Sequence, residues 1–537
     1  MKNYIKNIFM GLAATAVFGC DPKLIDEDPL GLTEQSLFNQ DVNYRAALAS
    51  AYAALYDYYH YGNLSFTSGS NQWAHSTWLL PGDDLTETNG NRRAVELFDD
   101  SLNPNNEQME RVWGASYKMI ARANVIIDHV RNDDLTTVRG ADEIRLMEGE
   151  ALFLRAYAHW ILFNVFGRAV VIEDRFAPGD DMNKPLSEPA VVLDQVIADL
   201  EAALPILPDT WASEFSGRAT KNSARGLMAK ALVFRANHFG SMSDHSAALQ
   251  VYNEITAQLV PNFVHNFSAY HENNQESLFE IQADNPNLNN LALYNDGAWR
   301  GVENMSIYRG FMMQPGTPGW ANAGATTRFL LTDKIKNNFG NDPRLMVFIN
   351  PDDGEEGRIF QKYWLGNVDV ADEATGAGVV DVRGGGGSVN NERVLRMADL
   401  VLIAAEAYLK TNQPQLAIEE LNKIRARTRE WAIEYGLSDG TGLEDYDLAV
   451  TDEDMIMEWI MNERFVELAG EGQRWWDLKR WHVAGDIDLS GWDGSDEHFS
   501  TELSSPVEFD VSTNLLFPIP QVEIDRNRAI MQNNPGY

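Results

Sequence analysis

Nine side chains with ligand-binding chemistry stand where helix building does not need them. Trp73, Trp78, Trp299, Tyr308, Trp320 and Trp364 fall in stretches rich in Gly, Ser, Asn and Pro that lack a helical period. Rings on such loops offer flat apolar faces to the C–H faces of sugars, and Asn71, Gln72 and Arg300 beside them could hold hydroxyls. For each ring alone, packing beneath its loop is an equal alternative. Trp475, Trp476 and Trp481 differ, because they sit on an amphipathic helix among Arg474, Asp477 and Arg480, where indoles pack and ion pairs lock a helix end.

Metal and catalytic patterns are sparse. Asp486, Asp488, Ser490 and Glu497 occupy positions 1, 3, 5 and 12 of an EF-hand-like loop, with Gly491 at position 6. Asp493 at the usually apolar eighth position, and the want of an exit helix before Pro506, weigh against calcium. The expectation is therefore no cofactor, with calcium at these four residues as the exception to test. The chain contains no H-E-x-x-H, Walker A or G-x-S-x-G pattern, and its 10 histidines form no metal-ligand spacing. A binding protein is expected rather than an enzyme, although paired carboxylates for glycoside hydrolysis are not excluded by counting acids.

Composition narrows the partners. With 43 Lys+Arg against 79 Asp+Glu the formal charge is -36, which repels phosphate backbones, so nucleic acid is not an expected partner. The single cysteine, Cys20, cannot make an internal disulfide. It follows Lys2 and Lys6, an apolar run from Ile8 to Phe18, and Gly19, which together form a signal peptide too short to span a bilayer. Val17-Phe18-Gly19-Cys20 looks like a bacterial lipobox, making Cys20 the lipidated first residue of the mature chain and the membrane anchor.

These groups must be held by elements that the periodicity outlines. Residues 20–40 read as an acidic tether. Residues 41–260 read as helix pairs: one helix from an Asp41 cap to Gly62, stripes at Val112, Ala115, Met119, Ala123, Ile126 and Val130 and at Met147, Ala151, Leu154, Ala158, Ile161 and Val165, then helices over about 188–203, 220–239 and 244–259. Residues 261–390 read as a loop-rich inserted region. The helical period resumes at Glu392, and the tail from Asn514 to Tyr537 wraps back over the helices in the C-terminal part, 391–537. The predicted fold is all-α, a superhelix of tetratricopeptide-like helix pairs with a loop-rich insertion.

The segment Asn462 to Trp481, together with Arg396 to Ala407, Leu421 to Arg427, Asn341 to Arg344, Leu516 to Pro520 and Gln532 to Tyr537, resembles the SusD/RagB family of outer-membrane nutrient-binding lipoproteins. Phe465 and Ala469-Gly470 depart from its pattern, standing where a second arginine and a Phe-Glu pair are expected. The resemblance implies a SusD-like fold and tethering at the cell surface. It implies a non-catalytic role beside a SusC-like TonB-dependent transporter, capturing glycan and passing it inward. A surface glycoside hydrolase and a tetratricopeptide scaffold for peptide or protein are the alternatives.

Overall fold

A computed structural model describes residues 38–59, 74–87, 94–268, 270–282, 329–348, 362, 391–493 and 507–537. Helix α1 spans Asp41–Ala53, with Gln40 rather than Asp41 at its cap. It gives way to a separate turn, Tyr56–Tyr59, instead of running on to Gly62. Helices α2 (Glu107–Asn132) and α3 (Ala141–Phe166) form the first long pair. The Asn106 side chain caps α2 by accepting from the Gln108 amide at 2.9 Å. From Gly149 to Phe166 every residue of α3 is buried, so this helix is the axis of the molecule.

Pro189–Ala203 (α4) starts on a proline, which suits the first helical position. Lys221–Phe239 (α5) is opened by a reciprocal Thr220–Ser223 capping box and closed by Gly240 at φ +69. Met242–Tyr252 (α6) stops seven residues short of the 244–259 expectation. After residues 253–396 come Met397–Lys410 (α7), Pro414–Glu434 (α8), Glu453–Glu467 (α9) and Arg474–Ala484 (α10). Each helix from α2 to α7 packs on the next, α6 against α7 included, although nearly 150 residues separate those two. Helices α8 and α9 continue onto α7, and α10 lies on α5. The architecture is all-α, as the periodicity predicted. Among the described residues no helix is long and apolar enough to cross a membrane.

Two antiparallel ribbons stand on this stack. Strand β1 (Leu85–Glu87) pairs with β3 (Phe329–Leu331), and β2 (Ser277–Ile281) pairs with β4 (Glu392–Arg396). The expectation of helix from Glu392 is thus corrected. Its first five residues are strand because their partner lies more than a hundred residues upstream, and helix begins only at Met397.

The buried end of α3 shows what the tail is for. A helix leaves its last four carbonyls without intrahelical donors. Here Phe163 accepts from Gly167 N and Val165 from Phe517 N, both at 2.9 Å. Phe166 accepts from the Asn534 amide at 2.8 Å, and Asn164 from the Lys479 ammonium. Gly167, at φ +67, has no room for a side chain, since a Cβ would sit 2.7 Å from Leu516. Two tail residues and one α10 residue therefore complete the central helix.

Candidate functional site

Glu463 and Glu467, one turn apart on α9, share a buried face with Arg464. Glu467 accepts from Arg396 at 2.7 Å, Arg427 at 2.6 Å and Arg344 at 2.8 Å. Arg396 also bonds Glu276 at 2.8 Å and grips Glu471 with two bonds of 2.7 Å. Arg344 reaches Glu463 and Asp342, each at 2.7 Å. Lys362 pairs with Glu471, donates to the Ala469 carbonyl at 3.1 Å, and lies 4.3 Å from the Phe267 ring centre and 4.4 Å from that of Phe348. Burial alone would raise the Glu467 carboxyl, but Arg427, Arg396 and Arg344 hold it well below the usual range.

This lattice fixes β4, the foot of β2 and the short helix Leu345–Phe348. The short helix and β4 are where the described chain ends and resumes around 349–390. A second clamp holds the other ribbon. Asp83 accepts from Arg474 Nε at 2.5 Å and pairs with Lys334, while Thr332 N donates to the Asp84 carbonyl at 3.1 Å. The two departures from the family pattern act in this clamp: the Arg474 guanidinium stacks 3.9 Å over Phe465, and Gly470 N donates to Asp84 at 2.8 Å.

A third network surrounds the α10 tryptophans. Arg464 bridges Asp399 (2.9 Å) and Asp477 (2.8 Å), Arg480 bridges Asp477 (2.9 Å) and Glu406 (2.5 Å), and Trp481 Nε1 donates to Glu406 at 3.1 Å. Trp475, Trp476 and Trp481 are all buried. These ionisable groups are consumed in holding helices together.

At Trp78, where display and packing are equal readings of the sequence, the structure shows packing. Only 4 % exposed, the ring packs edge-on to Tyr58 and Tyr59 and 5.8 Å from Trp476. Its turn-rich neighbourhood hid this, because the rings that bury it come from other elements. Asn71, Gln72, Trp73, Trp299, Arg300, Tyr308, Trp320 and Trp364 lie outside the described residues, as do Cys20 and Glu497.

The roots of their segments are described, and those of 60–73 and of the β2–β4 ribbon meet. His75 N donates to Tyr58 O at 3.0 Å across 60–73; Glu87 faces Phe329 across the ends of β1 and β3; Ile281 faces Glu392 across β2 and β4. Tyr56 OH holds the Gln282 carbonyl at 2.7 Å. Tyr59, His75, Trp78 and Glu392 line one small cavity.

At the proposed calcium loop, Asp486 is engaged by Lys410, and Asp488 accepts from Ser490 N at 2.8 Å in a turn of its own. Among the described residues no cluster of three or more His, Cys, Asp or Glu is arranged to hold a metal.

Beside the β2 root lies a cleft that the sequence did not single out. About 480 Å³ in volume, it is lined by Trp211, Asn222, Gln258, Asn273 and Gln275. The Arg218 guanidinium lies 3.8 Å over the half-buried Trp211 ring and is held by Glu150 at 2.5 Å. Gly217, at φ +86, separates it from a neighbouring cleft of about 360 Å³ walled by Tyr52, Tyr56 and Phe215; a Cβ there would meet Gln282 at 2.2 Å. An indole edge ringed by amides suits a neutral polyhydroxyl. Its only signal in the sequence is an aromatic within the Pro205 to Gly217 punctuation, which reads as a connection between helices.

Comparison with known proteins matches both halves. The SusD family model matches residues 263–537, and the model described as starch-binding associating with outer membrane matches residues 30–233. SusD-like protein P2 of Formosa agariphila is 26% identical over 560 residues, covering 100% of both chains. The crystal structure of a SusD homolog from Bacteroides thetaiotaomicron superposes with a TM-score of 0.71 at 19% identity, covering 94% of this chain and 98% of its own. A laminarin binding SusD-like protein gives 0.67 at 22% identity, covering 93% and 100%.

Proposed function

The chain belongs to the SusD family, and from that premise we propose that it is a non-catalytic glycan-capture lipoprotein of the outer membrane. It is anchored through Cys20, faces the cell exterior, and delivers oligo- or polysaccharide to a SusC-like TonB-dependent transporter. The observation that carries this reading is the family match across both halves, one of them described by starch binding at the outer membrane. The buried ion pairs support it, since their carboxylates serve the scaffold and leave the loops to bind.

The ligand surface in this reading is made by Trp73, on the segment between Tyr58 and His75, and by Trp299, Tyr308, Trp320 and Trp364, on segments that leave or enter the two ribbons, with Asn71, Gln72 and Arg300 as hydroxyl partners. The Trp211 cleft borders the root at Gln282. Phe38, where the described chain begins, stacks 3.7 Å from His129 of α2. Eighteen residues from Cys20 to Phe38 could reach about 60 Å when extended.

Affinity electrophoresis of residues 21–537 against a polysaccharide panel tests the proposal, with reducing-sugar release followed in the same samples. Retardation without release is expected, abolished in Trp73→Ala or Trp320→Ala. Trp211→Ala reports whether the cleft contributes. Sugar release would refute the non-catalytic role, and retention of a peptide with no glycan retained would favour the scaffold alternative.

A further inference from the structure

Three lysines are buried among the described residues. Lys230 lies 2.6 Å from Asp399 and Lys362 pairs with Glu471. Lys479, on α10 and 7 % exposed, has no carboxylate partner among the described residues. Its ammonium donates to the Asn164 carbonyl at the end of α3 and lies 5.7 Å from the Trp475 ring centre. Burial lowers all three amines; carboxylates oppose it at Lys230 and Lys362, whereas at Lys479 it is unopposed, and Lys362 and Lys479 are both pushed down to about 7. One helix-end carbonyl supplies a fraction of a negative charge and one acceptor, whereas an ammonium carries a full charge and three donors.

Lys479 borders a cavity of about 310 Å³ between the ends of α3 and α5, helix α10 and the C-terminal tail. Its walls are Phe163, Phe239, Trp476, Val483, Leu515 and Leu516. His238 also lines it; Nδ1 faces the Phe234 carbonyl at 2.9 Å, so that nitrogen donates and Nε2 is left as an acceptor. Burial pushes this imidazole down to about 4, so it is neutral and brings no second charge. The cavity thus combines mostly apolar walls, the hydroxyl residues Ser512 and Thr513 of the tail, one cation lacking a counter-charge and one neutral imidazole acceptor, at the small end of ligand-site volumes.

We propose that this cavity binds a small amphipathic carboxylate, whose negative group pairs with Lys479 and whose hydrocarbon or aromatic body fills the space between Phe163, Trp476 and Leu516. The ligand returns to the buried ammonium the counter-charge that the chain withholds, while its apolar part leaves water. A neutral glycan would satisfy neither requirement, so the site is distinct from glycan capture and stands or falls separately from it.

Calorimetry and tryptophan-fluorescence titration of residues 21–537 with octanoate and with 4-phenylbutyrate test this, using 1-octanol as the uncharged counterpart of octanoate. One saturable site is expected for at least one carboxylate, with octanol at least tenfold weaker. Lys479→Met should weaken the carboxylate at least tenfold and leave octanol unchanged. Because Lys479 also serves the end of α3, a second variant leaves it in place: Val483→Trp, at a residue 45 % exposed, narrows the cavity and should abolish binding without lowering the melting temperature. Saturable binding by neither carboxylate, equal binding of octanoate and octanol, or affinity unchanged in both variants would overturn the proposal.

Discussion

Two regions of the molecule bury positive charge in opposite ways. Around Glu467, the cations Arg344, Arg396, Arg427 and Lys362 interlock with Glu276, Glu463, Glu471 and Asp342. At Lys479 a single ammonium faces apolar walls and open volume. Where counter-charges are dense, desolvation is met by many short hydrogen bonds and the cations become joints that fix chain segments. Where they are lacking, the unmet charge and the empty space define a place for something else. The lattice grips the roots of the loop-bearing segments; the cavity lies between helix ends and the C-terminal tail.

The sharpest way to break this contrast is to open the lattice. Glu467→Ala removes the one carboxylate that Arg344, Arg396 and Arg427 share and strips each of a short buried charge-assisted bond, although Asp342, Glu463, Glu276 and Glu471 still face them, so a loss of about 3–5 kcal/mol is expected in urea unfolding. Glycan retention should fall with it, through misplaced roots at β2 and β4.

Acid attacks the neighbouring network around α10 by titration. Burial alone would raise the buried carboxyls, yet Arg480 holds Glu406 down to about 2, and Lys230 with Arg464 holds Asp399 lower still. Folded values below the unfolded ones, near 4, mean that their stabilisation is complete above about pH 4 and is lost as pH falls toward 2. The melting temperature should therefore drop steeply below pH 4, and Glu406→Gln should flatten that drop.

Gly217→Ala probes the clefts at smaller cost. The left-handed backbone alone disfavours alanine by about 1–2 kcal/mol, and the methyl would displace Gln282. Thermal melts should show the loss, with weakened glycan retention if the Trp211 cleft takes part.

The smallest effect belongs to the cavity. Lys479→Met should change stability at neutral pH by within about 1 kcal/mol, because the lost helix-end hydrogen bond is offset by removal of an unpaired buried charge. The folded amine, at about 7, lies below the unfolded value near 10.4, so the unfolded chain binds more protons between those limits. Native stability should thus rise with pH through that window by an increment that the methionine variant lacks. A variant as costly as Glu467→Ala would erase the distinction between the two regions.

The helix pairs were legible because each follows its own neighbours in sequence: spacings of three and four mark Val112 to Val130 and Met147 to Val165. Packing of the α10 tryptophans was legible for the same reason, from the charged residues one turn away. What failed involved distant partners. Glu392–Arg396 is strand only because Ser277–Ile281 lies beside it. Trp78 is buried between Tyr58 and Tyr59, about twenty positions before it, and Trp476, almost four hundred positions later.

By itself, then, the sequence determined the helical stack, the acidic surface and the motifs that place the chain in its family, all carried by local periodicity or contiguous residues. Only the tertiary structure decided that Glu467 would be encircled by arginines from three other segments, that Trp211 would border an amide-lined cleft, and that Lys479 would face a cavity. Burial and charge pairing depend on which distant groups fold into contact, and no local spacing encodes that.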